Sequence, residues 1–321
     1  MMLSLAAMIT GFVMLTWGAD RFVTGAAAVA RNLGISPLII GLTIVGFGTS
    51  APEMLVSAVA AWEENPGLAI GNAIGSNITN IALILGATAL IAPLDVHSST
   101  LRREIPILLV ITFAVMGLML DGDLGRMDGG LLTVGLGVML VCLVCLGLRD
   151  RRDPMQSEFD AEIPSHMSMV RALFWFILGL IVLVAGSRTL VWGAVAVAQA
   201  IGISDLVIGL TIVALGTSLP ELAVSVMSAL KKEHDIAIGN VIGSNMFNLL
   251  GVLALPGLIA PGLFAPEVLT RDFPAMIGLT FVLAVMAYGF RGHGRINRVE
   301  GATLLIVYIS YQMLLYYSSM A

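Results

Sequence analysis

Apolar runs of about twenty residues follow one another from Met2 to Tyr317, separated by short polar breaks. A helix of about twenty apolar residues crosses the roughly 30 Å hydrocarbon core of a bilayer. Ten such runs can be placed, near 2–30, 36–62, 67–93, 102–120 and 127–148, then near 168–198, 204–230, 235–260, 271–290 and 298–318. In lipid every backbone polar group must be satisfied within the protein, so runs of this length are expected as helices. The pattern predicts an all-α integral membrane protein with ten transmembrane helices.

The polar positions inside these runs repeat. Ile39–Glu53 reads IIGLTIVGFGTSAPE and Val207–Glu221 reads VIGLTIVALGTSLPE. Ala69–Asn80 reads AIGNAIGSNITN and Ala237–Asn248 reads AIGNVIGSNMFN. Both pairs are 168 positions apart (221 − 53 and 248 − 80), and the same offset matches Gly34-Ile35-Ser36 with Gly202-Ile203-Ser204 and Pro106 with Pro274. A constant offset means two copies of one unit. The division is a first repeat over 1–148, a linker over 149–167 and a second repeat over 168–321. Each copy holds five spans, an odd number, so the second enters the membrane from the opposite side. Two inverted five-helix repeats are a transporter architecture.

Composition agrees: 58% of residues are hydrophobic and 12% charged, with a mean hydropathy of +0.98. A soluble chain carries about twice that charged fraction. Alternating loops place Arg31, Arg102, Arg103, Arg149, Arg151, Arg152, Lys231, Lys232, Arg291, Arg295 and Arg298 on one side, against Arg126 and Arg271 on the other. The bias makes the first side cytoplasmic, with both termini outside and the linker Arg149–His166 inside. The expected location is the plasma (inner) membrane. The N-terminus lacks a basic n-region, so its first run reads as a retained helix. Asp20, Arg21 and Arg188 lie partway along the first helix of each half and read as interfacial or snorkelling. Cys142 and Cys145 form a C-x-x-C with no His or second Cys pair beside it, which reads as helix packing and not as a metal or redox centre.

The costly residues are mid-span polar ones. In each half a Thr, a Ser and a Glu recur: Thr49, Ser50 and Glu53, then Thr217, Ser218 and Glu221. Thr49 and Glu53 are four apart and share a helical face. Pro52 and Pro220 remove a backbone donor, which loosens the preceding turn and is expected to free carbonyls near Gly46 and Ala214. A broken helix in a membrane is tolerated where it lines a cavity or is packed in protein. Hydroxyls, carbonyls and carboxylates at one depth are hard oxygen ligands, suited to Ca²⁺ and Na⁺. The next span of each half adds a stripe of Asn72, Ser76 and Asn80, or Asn240, Ser244 and Asn248, with Asn77 or Asn245 beside it. A lone Ser, Thr or Asn in such a helix is often interhelical glue. Glu53 and Glu221 differ, because no Lys or Arg lies mid-span near either, and a bound cation is the obvious partner.

The sequences GTSAPE with GNAIGSNITN, and GTSLPE with GNVIGSNMFN, closely resemble the alpha repeats of the sodium/calcium exchanger family within the wider cation/Ca²⁺ exchangers. The resemblance covers essentially the whole chain and suits a compact prokaryotic member. It implies ten helices and four clustered cation positions, one for Ca²⁺ and three for Na⁺. Carried over by position, the Ca²⁺ ligands are Glu53, Glu221 and the carbonyls of Thr49 and Thr217. The Na⁺ ligands are Gly46, Ser50, Ser76, Ala214, Ser218 and Ser244 with the same glutamates, and Asn80 and Asn248 line the central position. Potassium-dependent relatives carry Asp where this chain has Asn248, which leans against K⁺ transport. Proton-coupled relatives carry an acidic residue within the Gly-Ser-Asn motif, which leans toward Na⁺.

The function expected is secondary active Na⁺/Ca²⁺ antiport by alternating access, with no enzyme activity and no cofactor. The partners expected are the lipid bilayer and the transported Ca²⁺ and Na⁺, with no nucleic acid and no partner protein, the chain being a monomer. A Ca²⁺/H⁺ antiporter of the same fold is the alternative, and a cation channel is a further one. An intramembrane hydrolase would need a base beside its Ser, and His97, His166, His234 and His293 all read as loop residues.

Overall fold

The computed structural model describes residues 2–33, 46–96, 99–149, 167–288 and 294–320. The first half runs α1 (Met2–Asn32), α2 (Gly46–Thr49), α3 (Ala51–Trp62) and α4 (Pro66–Ile78). A π-helical segment (Thr79–Leu85) then leads into α5 (Gly86–Ile91), β1 (Leu94–Val96), α6 (Ser99–Leu118), β2 (Asp123–Leu124) and α7 (Arg126–Arg149). The second half begins with α8 (Met169–Ile201), α9 (Asp205–Ile208), a π segment (Gly209–Val213), α10 (Ala214–Thr217) and α11 (Leu219–Leu230). It continues through α12 (His234–Phe247), a π segment (Asn248–Val252), α13 (Ala254–Ile259) and β3 (Gly262–Leu263). It closes with a π segment (Val268–Asp272), α14 (Phe273–Tyr288), β4 (Gly294–Ile296) and α15 (Arg298–Met320).

Among the described residues seven helices are long and apolar enough to cross a bilayer, and the pair Asp205–Thr217 and Leu219–Leu230, bent by 43°, makes an eighth. The expected run 36–62 is described only from Gly46. The run 102–120 forms α6, whose first turns carry two arginines and the buried Glu104. The linker is described only at its ends, since 150–166 lie outside the described residues.

α1 and α8 pack along their whole length through small residues. Gly11, Gly18 and Gly25 recur every seven residues on α1, as do Gly179, Gly186 and Gly193 on α8. A Cβ at Gly11 would lie 3.0 Å from the Gly186 carbonyl oxygen, one at Gly18 3.2 Å from that of Gly179, and one at Gly25 2.8 Å from that of Ala172. As the number rises on α1 it falls on α8, so the helices are antiparallel. Lipid tails are as apolar as leucine, and close backbone approach of this kind is what holds membrane helices together. Leu15 and Leu183 are fully buried midway along.

The helices with polar stripes sit innermost. Every side chain from Leu68 to Ile78 is buried, as is nearly all of α12. α4 crosses the start of the broken α9–α11 span at backbone contact: a Cβ on Gly71 would meet the Leu206 carbonyl oxygen at 2.4 Å, and one on Gly209 that of Leu68 at 2.5 Å. α3 and α11 end in matching turns. Glu64 (φ 61) and Lys232 (φ 68), 168 apart, take the left-handed conformation, and the amides of Asn65 and Glu233 close back to Ala60 and Ser228 at 2.8 Å. This is the usual way a helix satisfies its last carbonyls.

Among the described residues the regular structure is helical apart from two short antiparallel ribbons, β1 with β4 and β2 with β3, each joining one half to the other. Three expectations need correction. Cys142 and Cys145 are free thiols on the outer face of α7, not packed between helices. His234 is the first residue of α12, and its Nδ1 accepts the Asp95 amide at 3.0 Å; the other three histidines lie outside the described residues. Arg271 is not a loop residue: it lies in the π segment before α14, with Nε and Nη2 donating to the fully buried Asp272 at 2.6 and 3.1 Å. Arg21, read from the sequence as interfacial or snorkelling, carries its head against two indole rings. Its guanidinium lies 4.9 Å from the Trp175 ring of α8 and 5.8 Å from Trp17, while Asp20 and Arg188 are exposed.

Candidate cation site

Two helix breaks build the site. Ser50 (φ −82°, ψ 2°) separates α2 from α3, and Ser218 (φ −83°, ψ 8°) separates α10 from α11. Pro52 and Pro220 stand at the start of the following helices, where a missing N–H is harmless. Glu53 and Glu221 therefore fall in a first helical turn, where the helix dipole favours negative charge. Both carboxylates are completely buried. They lie close enough to repel one another, and among the described residues no Lys or Arg lies against either.

Hydroxyls surround them, largely from the opposite half. Ser218 donates to Glu53 Oε1 at 3.1 Å, and Thr217 also lies against that carboxyl. Ser244 donates to Glu221 Oε1 at 3.4 Å, with Ser50 beside it. Thr49 Oγ1 is 3.3 Å from both Ser244 Oγ and Asn240 Oδ1. Asn80 Nδ2 donates to Asn245 Oδ1 at 3.0 Å. The second oxygens of both glutamates, Ser76 Oγ, Asn77 Oδ1, Asn80 Oδ1 and both amide atoms of Asn248 are buried with no hydrogen-bonding partner among the described residues. Buried polar atoms are rarely left so. Here two of them are the second oxygens of neighbouring carboxylates against which no basic side chain lies among the described residues, an arrangement a desolvated cation satisfies.

Seven of the twelve candidate residues, Glu53, Glu221, Thr49, Thr217, Ser50, Ser218 and Ser244, are thus joined in one buried polar cluster; Ser76, Asn80 and Asn248 are buried on the neighbouring inner helices. Gly46 opens α2 and Ala214 opens α10. The Ala214 carbonyl is not freed by Pro220 as expected, because it accepts the Ser218 amide at 3.2 Å; one lone pair remains for another donor or a cation.

Asn72 and Asn240 are legible in the sequence as members of the polar stripe, but their partners Ser57 and Ser225 escape a reading of motifs. Asn72 Nδ2 donates to the Glu53 carbonyl at 3.1 Å and to Ser57 Oγ at 3.0 Å, and Asn240 does the same to Glu221 and Ser225 at 3.2 and 3.1 Å. The 168-residue offset maps Ser57 onto Ser225, the one available signal. Asn80 and Asn248 lie buried in the π-helical segments that begin at Thr79 and at Asn248. Such bulges are frequent at functional sites.

The sequence pattern of the sodium/calcium exchanger protein family matches residues 3–146 and 171–317. The chain belongs to the sodium/calcium exchanger family. It is 48% identical to CaxA of Alkalimonas amylolytica over 99% of this chain and 100% of that protein. It is 39% identical to the inner membrane protein YrbG of Escherichia coli over 99% and 98%. Among solved structures it matches the sodium-calcium exchanger NCX_Mj soaked with Na⁺ and Sr²⁺, at 35% identity and a TM-score of 0.68, covering 96% of this chain and 97% of that one. A multi-pass membrane protein of an exchanger family is thereby established, and the glutamate cluster lies inside both matched segments.

Proposed function

We propose that the protein is a Na⁺/Ca²⁺ antiporter of the plasma membrane, spanning it ten times as two inverted repeats, 1–148 and 168–321, joined by a cytoplasmic linker. The antiparallel run of α1 against α8, which begin 167 residues apart, supports the inversion. So does the recurrence of the Asn–Glu–Ser hydrogen bonds at an offset of 168 in the opposite half.

The observation that carries the function is the pair of buried glutamates against which no basic side chain lies among the described residues. Ca²⁺ is held by Glu53, Glu221 and the Thr49 and Thr217 carbonyls. Na⁺ is held by the same glutamates with Ser50, Ser76, Ser218, Ser244 and the Gly46 and Ala214 carbonyls, and Asn80 and Asn248 line the centre. Two carboxylates balance one Ca²⁺ or several Na⁺. Moving them empty through a low-dielectric midplane is costly, and that penalty couples the two fluxes. The α1–α8 pair, joined by small residues, slides across the inner helices to alternate access.

The test is ⁴⁵Ca²⁺ uptake into proteoliposomes loaded with Na⁺, against vesicles loaded with K⁺ or choline and against an imposed pH gradient without Na⁺. Uptake driven by Na⁺ supports this function. Uptake driven only by the pH gradient would assign the chain to Ca²⁺/H⁺ exchange.

A further inference from the structure

Asn72 and Asn240 form two matched hydrogen-bonded relays that cross between the halves. Ser57 Oγ donates to the Ala69 carbonyl at 3.3 Å, so towards Asn72 it can only accept. The Glu53 carbonyl can only accept as well. Both therefore face the amide nitrogen of Asn72, at 3.0 and 3.1 Å. This fixes the orientation of the amide, and Oδ1 must point the other way, towards Thr217 Oγ1 at 3.1 Å. The equivalent relay joins Ala237, Ser225, Asn240 and Thr49.

Thr217 has one proton to give. Four oxygens compete for it: Asn72 Oδ1 at 3.1 Å, the Val213 carbonyl at 3.1 Å, the Ala214 carbonyl at 3.3 Å and the Glu53 carboxylate, donation to which would point the proton into the ion cavity. The Ala214 carbonyl already accepts the Ser218 amide. Donation from Thr217 would occupy its second lone pair and leave none for a cation. Donation to Asn72 leaves the Ala214 carbonyl and the Thr217 oxygen open to a cation beside Glu53.

We propose that Asn72 is a positioning residue for Na⁺: it takes the Thr217 hydroxyl proton out of the ion cavity, so that Thr217 and Ala214 present lone pairs to Na⁺. Asn240 serves Thr49 in the same way. This rests on the exchange function proposed above. It extends it to a residue that touches no ion and acts across the repeat boundary.

The experiment measures initial ⁴⁵Ca²⁺ uptake as internal Na⁺ is varied, for wild type, Asn72→Ala, Thr217→Val, the double variant and Thr217→Ser. Half-saturating Na⁺ rises about five- to tenfold in Asn72→Ala and in Thr217→Val, the loss of one buried hydrogen bond. The double variant is no worse than the poorer single one, Thr217→Ser stays within about twofold of wild type, and half-saturating Ca²⁺ moves less than half-saturating Na⁺. A lower maximal rate with unchanged Na⁺ dependence would mean a structural role only and would overturn the proposal. Effects that multiply in the double variant would also overturn it. Where Asn72→Ala does not insert, the isosteric Thr217→Val set against Thr217→Ser decides, and equal Na⁺ dependence in the two refutes. Absence of Na⁺-driven uptake in wild type would refute exchange itself. The link from Asn72 to Thr217 is then read from thermal unfolding of the same set in detergent: losses in Tm that do not add support it, and additive losses overturn it.

Discussion

Replacing Glu53 with Gln removes one of the two buried charges with almost no change of shape. Ser218 can still donate to the remaining carbonyl oxygen in place of its 3.1 Å bond to Oε1, and the Asn72 bond to the Glu53 backbone is untouched. The folded state should therefore survive, and an empty protein relieved of an unpaired buried carboxylate should be as stable as wild type or more so. A bound divalent ion loses half of its compensating charge. Breaking a buried ion pair costs about 3–5 kcal/mol, which corresponds to a loss of about two to three and a half decades in apparent Ca²⁺ affinity. Two assays read this out. Initial ⁴⁵Ca²⁺ uptake into Na⁺-loaded vesicles should fall to background. Thermal unfolding in detergent should no longer respond to Ca²⁺, whereas a wild type held at one hundred times its dissociation constant gains about 2.7 kcal/mol. Glu221→Gln should behave alike. Uptake near the wild-type rate in either variant, from protein that unfolds cooperatively, would refute the assignment of these carboxylates as ligands.

Asn248→Asp places a third carboxylate among groups that already carry two, so Na⁺-driven Ca²⁺ uptake should become responsive to K⁺. In wild type, K⁺ added at fixed membrane potential should change the flux less than about twofold, and a strict K⁺ requirement would contradict the role given to Asn248. In a background lacking Cys142 and Cys145, Asp121→Cys and Leu263→Cys should be labelled by an impermeant reagent from outside and Ser157→Cys only from inside; labelling of all three from one side would refute the inverted arrangement. Gly18→Leu, aimed at the α8 backbone 3.0 Å away, should lose about 1–3 kcal/mol of stability, while Gly117→Leu, with nothing within 4 Å, should lose far less. Equal shifts in Tm for these two would mean that the small-residue seam is not what holds α1 to α8.

The two Glu residues were legible in the sequence because a carboxylate in the middle of an apolar run has few inexpensive explanations, and the offset of 168 showed it twice. The surroundings were less so. Cys142 and Cys145 stand on the outer face of α7. In a bilayer the outward face of a helix is as apolar as the inward one, so hydrophobicity cannot tell the two apart. The π-helical turns at Asn80 and Asn248 leave no composition signal, since they arise when packing admits one extra residue per turn. Asn72 and Asn240 were visible as part of a polar stripe, but their partner Thr comes from the opposite half, and no local spacing encodes that contact. The Ala214 carbonyl shows a limit of the proline rule. Removing a donor loosens the turn, yet Ser218 supplies its own amide at the break.

Coupling is the central claim, and it is tested most directly by following ²²Na⁺ and ⁴⁵Ca²⁺ together in the same proteoliposomes. Each Ca²⁺ entering should be matched by several Na⁺ leaving, in a fixed ratio that does not change with either gradient. Both fluxes should vanish together in Glu53→Gln. Ca²⁺ entry that proceeds at the same rate with no Na⁺ inside, or a ratio that drifts with concentration, would contradict exchange through one shared pair of carboxylates.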